Sequence, residues 1–407
     1  MLQKLSVRDL DLQGKRALIR VDFNVPVDKT GKILDDSRIV SSLPTIQHVI
    51  QAGGKAILMS HFGRPKGKSA DLSLAPIAKR LSELLQKPVT MASDCIGKEV
   101  EALIAHMQLG DVLLLENVRF YPAEEKPELD PSFAKALAAL GDVYINDAFG
   151  SAHRNHSSTA VIAKYFPHTA ACGFLMEKEI NFLGNTLSEP KRPFFAIIGG
   201  AKVSTKIGVL KSLLQKVDAL FLGGGMAYTF FKAQGKPIGN SLCEESMLQE
   251  ALEIMSECQK RNVKLFLPLD TVAATQFDNN APYKTFESAT GIPDGYQGMD
   301  IGEKTCEAWG KELARAKTVL WNGPVGVFEF PNFSKGTFAI ARLLASLKDA
   351  VTICGGGETA QAVLEAGVIK DFHHVSTGGG ASLEYIEQGT LPGIEALTNK
   401  TNSYLCE

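Results

Sequence analysis

At 407 residues, with 45% hydrophobic and 22% charged side chains and a formal net charge of −2, the chain has the make-up of a soluble globular protein of two or three domains. That balance excludes the strongly basic surface of a nucleic-acid binder and the cationic patch of a protein held on membranes, which leaves small molecules as the expected partners. Cys95, Cys172, Cys243, Cys258, Cys306, Cys354 and Cys406 form an odd, scattered set with no C-x-x-C pair, the usage of a reducing compartment. The opening MLQKLSVRDLDLQGKR carries charges where a secretion signal needs an apolar core, and no apolar run reaches the ~20 residues of a membrane span, so a cytoplasmic location is expected.

Along the chain, short aliphatic and β-branched runs alternate with longer amphipathic segments. RALIRVD (16–22) predicts a strand, DSRIVSSLPTIQHVIQAG (36–53) a helix, KAILMSH (55–61) a strand and LAPIAKRLSELLQ (74–86) a helix, with VLLLE (112–116) and VYIND (143–147) as further strands. GFLMEKEINFLGNTLSEPKRP (173–193) reads as one amphipathic helix with a Pro-flanked exit, the expected interdomain connector. Beyond it come strands at FFAII (194–198), ALFLGG (219–224), VKLFLPL (263–269), TVLW (318–321) and VTIC (351–354), with helices at SMLQEALEIMSECQKR (246–261) and FSKGTFAIARLLASL (333–347). Uninterrupted apolar strands spaced by helices predict an α/β fold: two doubly wound parallel-sheet, Rossmann-like lobes joined by an interdomain helix. The expected divisions are 1–172, the connector 173–193, and 194–390, with 391–407 as a closing segment.

In open parallel sheets ligands sit outside the carboxyl ends of strands, so the residues just after each strand carry the functional expectation. In the first half these are polar and cationic: Asp22 and Asn24 in VDFNVPV, then Arg38; His61 and Arg64 in SHFGRPKG; Arg119 in ENVRFY; Arg154 and His156 in INDAFGSAHRNHSS. Guanidinium forks match carboxylate and phosphate oxygens two at a time, and their recurrence after four strands points to an anionic ligand. A single loop arginine would be a solvated side chain, and His61 alone reads equally well as a satisfied core histidine.

The second half ends its strands in glycine: IIGGAKVSTK, FLGGGMAYTFF, WNGPVGVFE and CGGGETAQAV. Such turns let backbone approach a ligand, and three of them lead into helices whose free N–H groups attract phosphate, a nucleotide pattern that places Gly199, Gly200, Gly223, Gly224, Asn322 and Pro324 in the candidate nucleotide site. Neither the P-loop nor the dinucleotide fingerprint is present. Lys202 and Lys206, four apart, are expected on one face of a helix's first turn, their mutual repulsion of roughly 0.2–0.5 kcal/mol offset by a polyphosphate. Glu329 and Glu358 are the carboxylates nearest these loops; one would meet ribose and the other a metal carried on phosphates, or either would be an ordinary acid at a helix start.

The motifs RVDFNVPV, SHFGRPKG, LLLENVRFY, INDAFGSAHRNHSS, GGAKVSTKIGVL, LFLGGGMAYTF, WNGPVGVFE, CGGGETA and STGGGASLEY, in this order from about residue 5 to about residue 390, resemble the phosphoglycerate kinase family. The resemblance implies a monomeric glycolytic enzyme moving a phosphoryl group between 1,3-bisphosphoglycerate and ADP to give 3-phosphoglycerate and Mg·ATP. By motif, Asp22 and Asn24 hold the glycerate with Arg38 and His61 nearby, and Arg64, Arg119 and Arg154 neutralise the 3-phosphate and carboxyl. Lys202 and Lys206 contact the nucleotide phosphates and the transferring group, with Arg38 as their partner in catalysis. Glu329 meets ribose, and Gly356, Gly357, Glu358 and Thr359 meet phosphates and Mg²⁺. Residues 391–407 return to the N-terminal lobe. Thr205 and Glu358 depart from the commonest pattern, where Asp stands at both positions. The alternatives are an NAD-dependent dehydrogenase, which should show G-x-G-x-x-G with an acid ~20 residues on, and a noncatalytic nucleotide-binding protein.

Overall fold

The computed structural model describes residues 4–400. Contacts divide them into one unit of residues 4–181 with 390–400, and a second of residues 182–389. The first unit holds strands β1 (Arg16–Arg20), β2 (Lys55–Met59), β3 (Val89–Met91), β4 (Val112–Leu114), β5 (Val143–Asn146) and β6 (Ala170–Cys172), and helices α1 (Ser37–Gln51), α2 (Ala75–Leu85), α3 (Lys98–His106), α4 (Pro131–Ala138) and α5 (Phe174–Glu179). Its sheet runs β3-β4-β2-β1-β5-β6, all parallel, so the chain reverses its winding at β1. Ala17, Ile19 and Val21 face the helix side with Ala56, Leu58, Val112, Leu114 and Ile145, and α1 covers them with Ile39, Ile46 and Val49. The period of two therefore sends Leu18 and Arg20 to the opposite face, where they pair in register with Tyr144 and Asn146.

The second unit repeats the plan. Strands β7 (Phe194–Ile198), β8 (Ala219–Leu222), β9 (Lys264–Phe266), β10 (Asp270–Ala274), β11 (Tyr283–Glu287), β12 (Gln297–Ile301), β13 (Thr318–Asn322), β14 (Val351–Gly355) and β15 (His374–Val375) are joined by α6 (Ile207–Leu213), α7 (Met226–Ala233), α8 (Leu248–Lys260), α9 (Glu303–Leu313), α10 (Lys335–Ser346), α11 (Gly357–Glu365) and α12 (Gly380–Gln388). The main sheet runs β15-β14-β13-β7-β8-β9, all parallel, with its reversal between β7 and β13. Phe221 anchors the core, stacked on Phe266 at 4.5 Å and edge-on to Trp309 at 5.4 Å. After α12 the chain rejoins the first unit through α13 (Pro392–Glu395), where Thr398 O accepts from Leu5 N at 2.8 Å. Residues 401–407 of the expected closing segment lie outside the described residues.

The α/β expectation holds, with differences. β10, β11 and β12 form a separate antiparallel sheet that the sequence did not announce, because YKTFE is largely exposed and QGMDI carries a glycine where an apolar run was sought. β3 and β15 are short edge strands without an apolar run. The connector is not one regular α-helix: α5 passes into a π-helical stretch, Ile180–Thr186, which contains the boundary between the two units.

Candidate functional site

In the first unit, the ends of β1, β2, β4 and β5 bring a set of cations under the loops. Arg20, 1% exposed, donates from Nε to Ser158 Oγ at 2.7 Å and from Nη1 to Val21 O at 2.5 Å, and its Nη2 lies 3.1 Å from His61 Nδ1. A guanidinium only donates, so His61 Nδ1 accepts and the ring is neutral with its proton on Nε2. Burial, then the charges of Arg20, Arg119 and Arg38, hold the His61 imidazole well below its ordinary range. Burial and the same kind of neighbours, Arg119, Arg20 and Arg154, bring His156 down to about 4. Burial also lowers Arg119, whose Nη1 donates to Gly63 O at 2.8 Å and whose Nε lies 3.1 Å from Glu125 Oε1. Arg38 donates to Asp22 Oδ2 at 2.7 Å, and Asn24 Oδ1 accepts from Gly63 N at 2.9 Å, which ties the first loop to the second. Arg64 and Arg154 are exposed at the rim.

The counter-charge beneath is Glu124, fully buried and raised by burial against the opposing pull of Arg20, with Ser158 donating both its N–H at 3.0 Å and its hydroxyl at 2.6 Å. Arg20, Glu124 and Ser158 were not among the residues the sequence singled out. Arg20 had a signal, a full charge inside an apolar strand, and such a group is retained only when partnered. Five guanidiniums against Asp22, Glu124 and Glu125 leave a positive surplus suited to a multiply charged anion.

In the second unit two cavities meet. One, of about 430 Å³, is lined by Gly200, Lys202, Lys206, Asn322, Gly323, Gly356, Gly357, Glu358, Thr359, Gly379 and Gly380. The other, of about 290 Å³, is lined by Leu242, Phe277, Met299, Pro324, Val327 and Glu329. Gly200, Ala201 and Glu358 belong to both, so one trough runs from an apolar end to a polar end. Lys206 Nζ donates to Asn322 Oδ1, and Asn322 Nδ2 donates to Gly355 O at 2.9 Å, so the amide fixes the ammonium at the end of β13. Burial lowers Lys206, with the Glu358 charge opposing.

The expected pairing of Lys202 and Lys206 on one helical face is corrected. Lys206 is the residue before α6 and Lys202 lies in the loop ahead of it, because residues 203–206 form a turn closed by Lys206 N on Val203 O at 2.8 Å. That turn is pinned by Glu244, which accepts from Ser204 N at 3.0 Å and from the Ser204 hydroxyl at 2.5 Å. Both lysines still line the polar cavity. Thr359 is buried and its Oγ1 accepts from Gly323 N at 2.7 Å, so its hydroxyl braces the β13 loop.

The glycines divide by role. A Cβ on Gly199 would stand 2.1 Å from Pro324 O, and one on Gly323, at φ +93°, 2.2 Å from Gly199 O, so these two serve the close crossing of the β7 and β13 loops. Gly223 and Gly224 likewise pack on Val325 and on Gly200 and Pro324, whereas Gly357 and the sequence-missed Gly379 and Gly380 face open space in the trough. The apolar wall was also missed: Leu242, Phe277 and Met299 come from loops and from the antiparallel sheet. Among the described residues no three of His, Cys, Asp and Glu gather as a metal site.

A doubly wound unit with a desolvated cation cluster, followed by a doubly wound unit with a glycine-walled trough, defines a two-lobed α/β protein for phosphorylated small molecules. The family model described as phosphoglycerate kinase matches residues 7–389. The chain is 53% identical to the phosphoglycerate kinase of Pelodictyon phaeoclathratiforme over 401 residues, 98% of this chain and 100% of that one. It is 53% identical over 403 residues to that of Lacticaseibacillus casei, again 98% and 100% of the two chains. The solved phosphoglycerate kinase of Coxiella burnetii superimposes with a TM-score of 0.88 at 39% identity, covering 97% of this chain and 98% of that one. The Pyrococcus horikoshii structure superimposes at 0.83 with 30% identity, covering 98% and 100%. This chain therefore belongs to the phosphoglycerate kinase family, and the dehydrogenase and noncatalytic alternatives are not favoured.

Proposed function

We propose that the chain catalyses reversible phosphoryl transfer between 1,3-bisphosphoglycerate and ADP, giving 3-phosphoglycerate and ATP, as a cytoplasmic monomer of glycolysis. The observation that carries this reading is the trough of the second unit. Its apolar end suits a base, Glu329 stands where a ribose would follow, and Lys202 and a desolvated Lys206 stand where phosphates would lie. In the first unit Asp22, Asn24, Arg38 and His61 bind the glycerate, and Arg64, Arg119, Arg154 and His156 take its phosphate and carboxyl. In the second, Gly199, Gly200, Gly223, Gly224, Asn322, Pro324, Gly356, Gly357 and Thr359 shape the nucleotide site.

Both nucleophiles, a carboxylate in one direction and an ADP phosphate in the other, are already ionised. The protein's task is to position them and neutralise charge, not to move a proton. Two imidazoles kept neutral near pH 7 agree with that division of labour. Arg38, Lys202 and Lys206 stabilise the transferring group. Lys206, with part of its water removed and its ammonium fixed by Asn322, acts at greater strength than an exposed lysine would. The donor set near the phosphate end is a single carboxylate, Glu358, which fits a Mg²⁺ whose remaining oxygens come from the nucleotide. When bound, that ion neutralises phosphate charge; the chain's own part is to offer Glu358 toward it.

Transfer requires both ligands at one point, and aligning two anions supplies roughly 7–11 kcal/mol of barrier reduction. Hinge closure about the 173–193 segment, with expulsion of water that would hydrolyse the acyl phosphate, is part of this reading. The test is an assay with ATP, Mg²⁺ and 3-phosphoglycerate in which hydroxylamine traps the acyl phosphate. Trapping is expected, and its absence with both substrates shown to bind would overturn the proposal.

A further inference from the structure

Behind the apolar end of the trough lies a carboxyl that the reaction does not use. Asp300, 2% exposed, sits near the end of β12, next to Met299, which lines the cavity. Its Oδ2 accepts from Gly336 N at 2.8 Å in the first turn of α10, and its Oδ1 accepts from Ile301 N at 2.9 Å. The loop after β13 crosses directly over it: a Cβ on Gly326 would stand 2.1 Å from Asp300 Oδ1, and one on Gly336 2.4 Å from the same atom. One residue further along that loop, Val327 N donates to Met299 O at 2.8 Å. Gly326 and Val327 line the cavity on one side, and Gln297, Gly298 and Met299 on another. A single buried carboxyl thus touches the three elements, β12, the 325–328 loop and the α10 start, whose spacing fixes the width of the apolar end.

We propose that Asp300 is a positioning residue for the nucleotide, holding β12 against the 325–328 loop and the first turn of α10 so that the apolar end of the trough keeps the width of a purine. The inference rests on the nucleotide reading above. Its chemistry makes the device sensitive to pH. Burial raises the Asp300 carboxyl to about 8, against the lowering effect of the Gly336 and Ile301 N–H groups and of Lys335. The other titratable groups that feel it are Cys306 on α9, raised to about 12 by burial and then by the Asp300 and Asp270 charges, and Tyr228 on α7, raised by burial and then by Asp300. Neither titrates between pH 7 and 9, and no cation touches the carboxyl. Ionisation above about 8 places a charge in a buried site where Lys335 and the two N–H groups offset only part of the cost of burial, so it draws in water and loosens the wall.

Two measurements test this. Adenosine, which has no phosphates and so ignores Lys202 and Lys206, is titrated into the unmodified protein from pH 7 to 9; its affinity is expected to fall with a midpoint near 8. A flat profile overturns the proposal and needs no variant. Asp300→Asn keeps the shape but leaves one of the two N–H groups facing an amide NH₂, so the dissociation constant for Mg·ADP is expected to rise about fivefold to tenfold, the value of one lost hydrogen bond. The KM for 3-phosphoglycerate stays constant and the pH midpoint disappears. Equal loss for both substrates would mark a merely structural role and overturn the assignment. Unmodified protein that binds Mg·ADP while Asp300→Asn binds it equally well overturns this inference alone; unmodified protein that fails to bind Mg·ADP overturns the nucleotide reading and this inference with it.

Discussion

The two units share a fold plan and line the carboxyl edges of their sheets by opposite means. The first unit uses side chains: Arg20, Arg38 and Arg119 with His61 and His156, several of them desolvated and cross-braced by Glu124 and Ser158. The second uses backbone: glycines that let the β7 and β13 loops cross within contact distance and leave amides and one fixed ammonium on the cavity wall. The lesson is about where specificity is stored. Guanidinium forks read the planar geometry of carboxylate and phosphate, while an amide cradle accepts any phosphate that fits.

The largest effect that would sharpen this contrast is expected at Lys206, the half-buried ammonium of the trough. Lys206→Ala should lower kcat by about 10²–10³, the range for removing one preorganised donor to a developing anion. Steady-state kinetics decide it. Normal turnover would mean that the second unit works through backbone alone.

Next is the backbone itself. Gly323→Ala, which forces a Cβ to 2.2 Å from Gly199 O at a positive φ, should destabilise the fold by about 1–3 kcal/mol. Arg64→Ala on the exposed rim of the first unit should stay within about 0.5 kcal/mol. Urea denaturation compares them, and equal losses would break the distinction between a backbone site and a side-chain site.

A smaller effect is pH-linked. His156 is held at about 4 in the folded protein against about 6.5 when unfolded. Between those values the unfolded chain takes up a proton that the native one refuses, so stability falls as pH drops from about 6.5 to about 4. His156→Gln should flatten that part of the profile. Asp147, raised to about 6 by burial, and Asp300 slope the other way but are common to both proteins and cancel in the difference. The smallest expected effect is that of salt, which should weaken capture of 3-phosphoglycerate at the partly exposed Arg38, Arg64 and Arg154 slightly while leaving adenosine binding unchanged; calorimetry at two ionic strengths reads both.

Much of the site was legible because strand ends are legible. The apolar runs of β1, β2, β4, β5, β7, β8, β13 and β14 lie where periodicity put them, so the polar residues that follow fall at the sheet edge. What escaped has physical causes. The antiparallel sheet that supplies Met299 is half exposed and has no apolar run to betray it. Lys202 and Lys206 were placed on one helix face because spacing carries no information about the turn that Glu244 imposes on residues 203–206. Glycine at a strand end reads identically whether it faces open space in the trough, as Gly357 does, or another backbone, as Gly199 does.

The sequence by itself determined the alternation of strands and helices, the α/β class, and which loops carry charge and which carry glycine, because these depend on periodicity and on residues near each other in the chain. Only the tertiary structure decided which cations lose their water, which hydroxyls and amides are already engaged, and where the apolar wall of the trough lies. The reason is that the decisive partners, Arg20 with His61 and Ser158, Asn322 with Lys206, Thr359 with Gly323, and Asp300 with Gly336, are far apart in the chain. Arg20 meets its partners because β1 lies between β2 and β5, Lys206 meets Asn322 because β7 lies beside β13, Thr359 meets Gly323 because β14 lies beside β13, and Asp300 meets Gly336 where the antiparallel sheet packs on the start of α10.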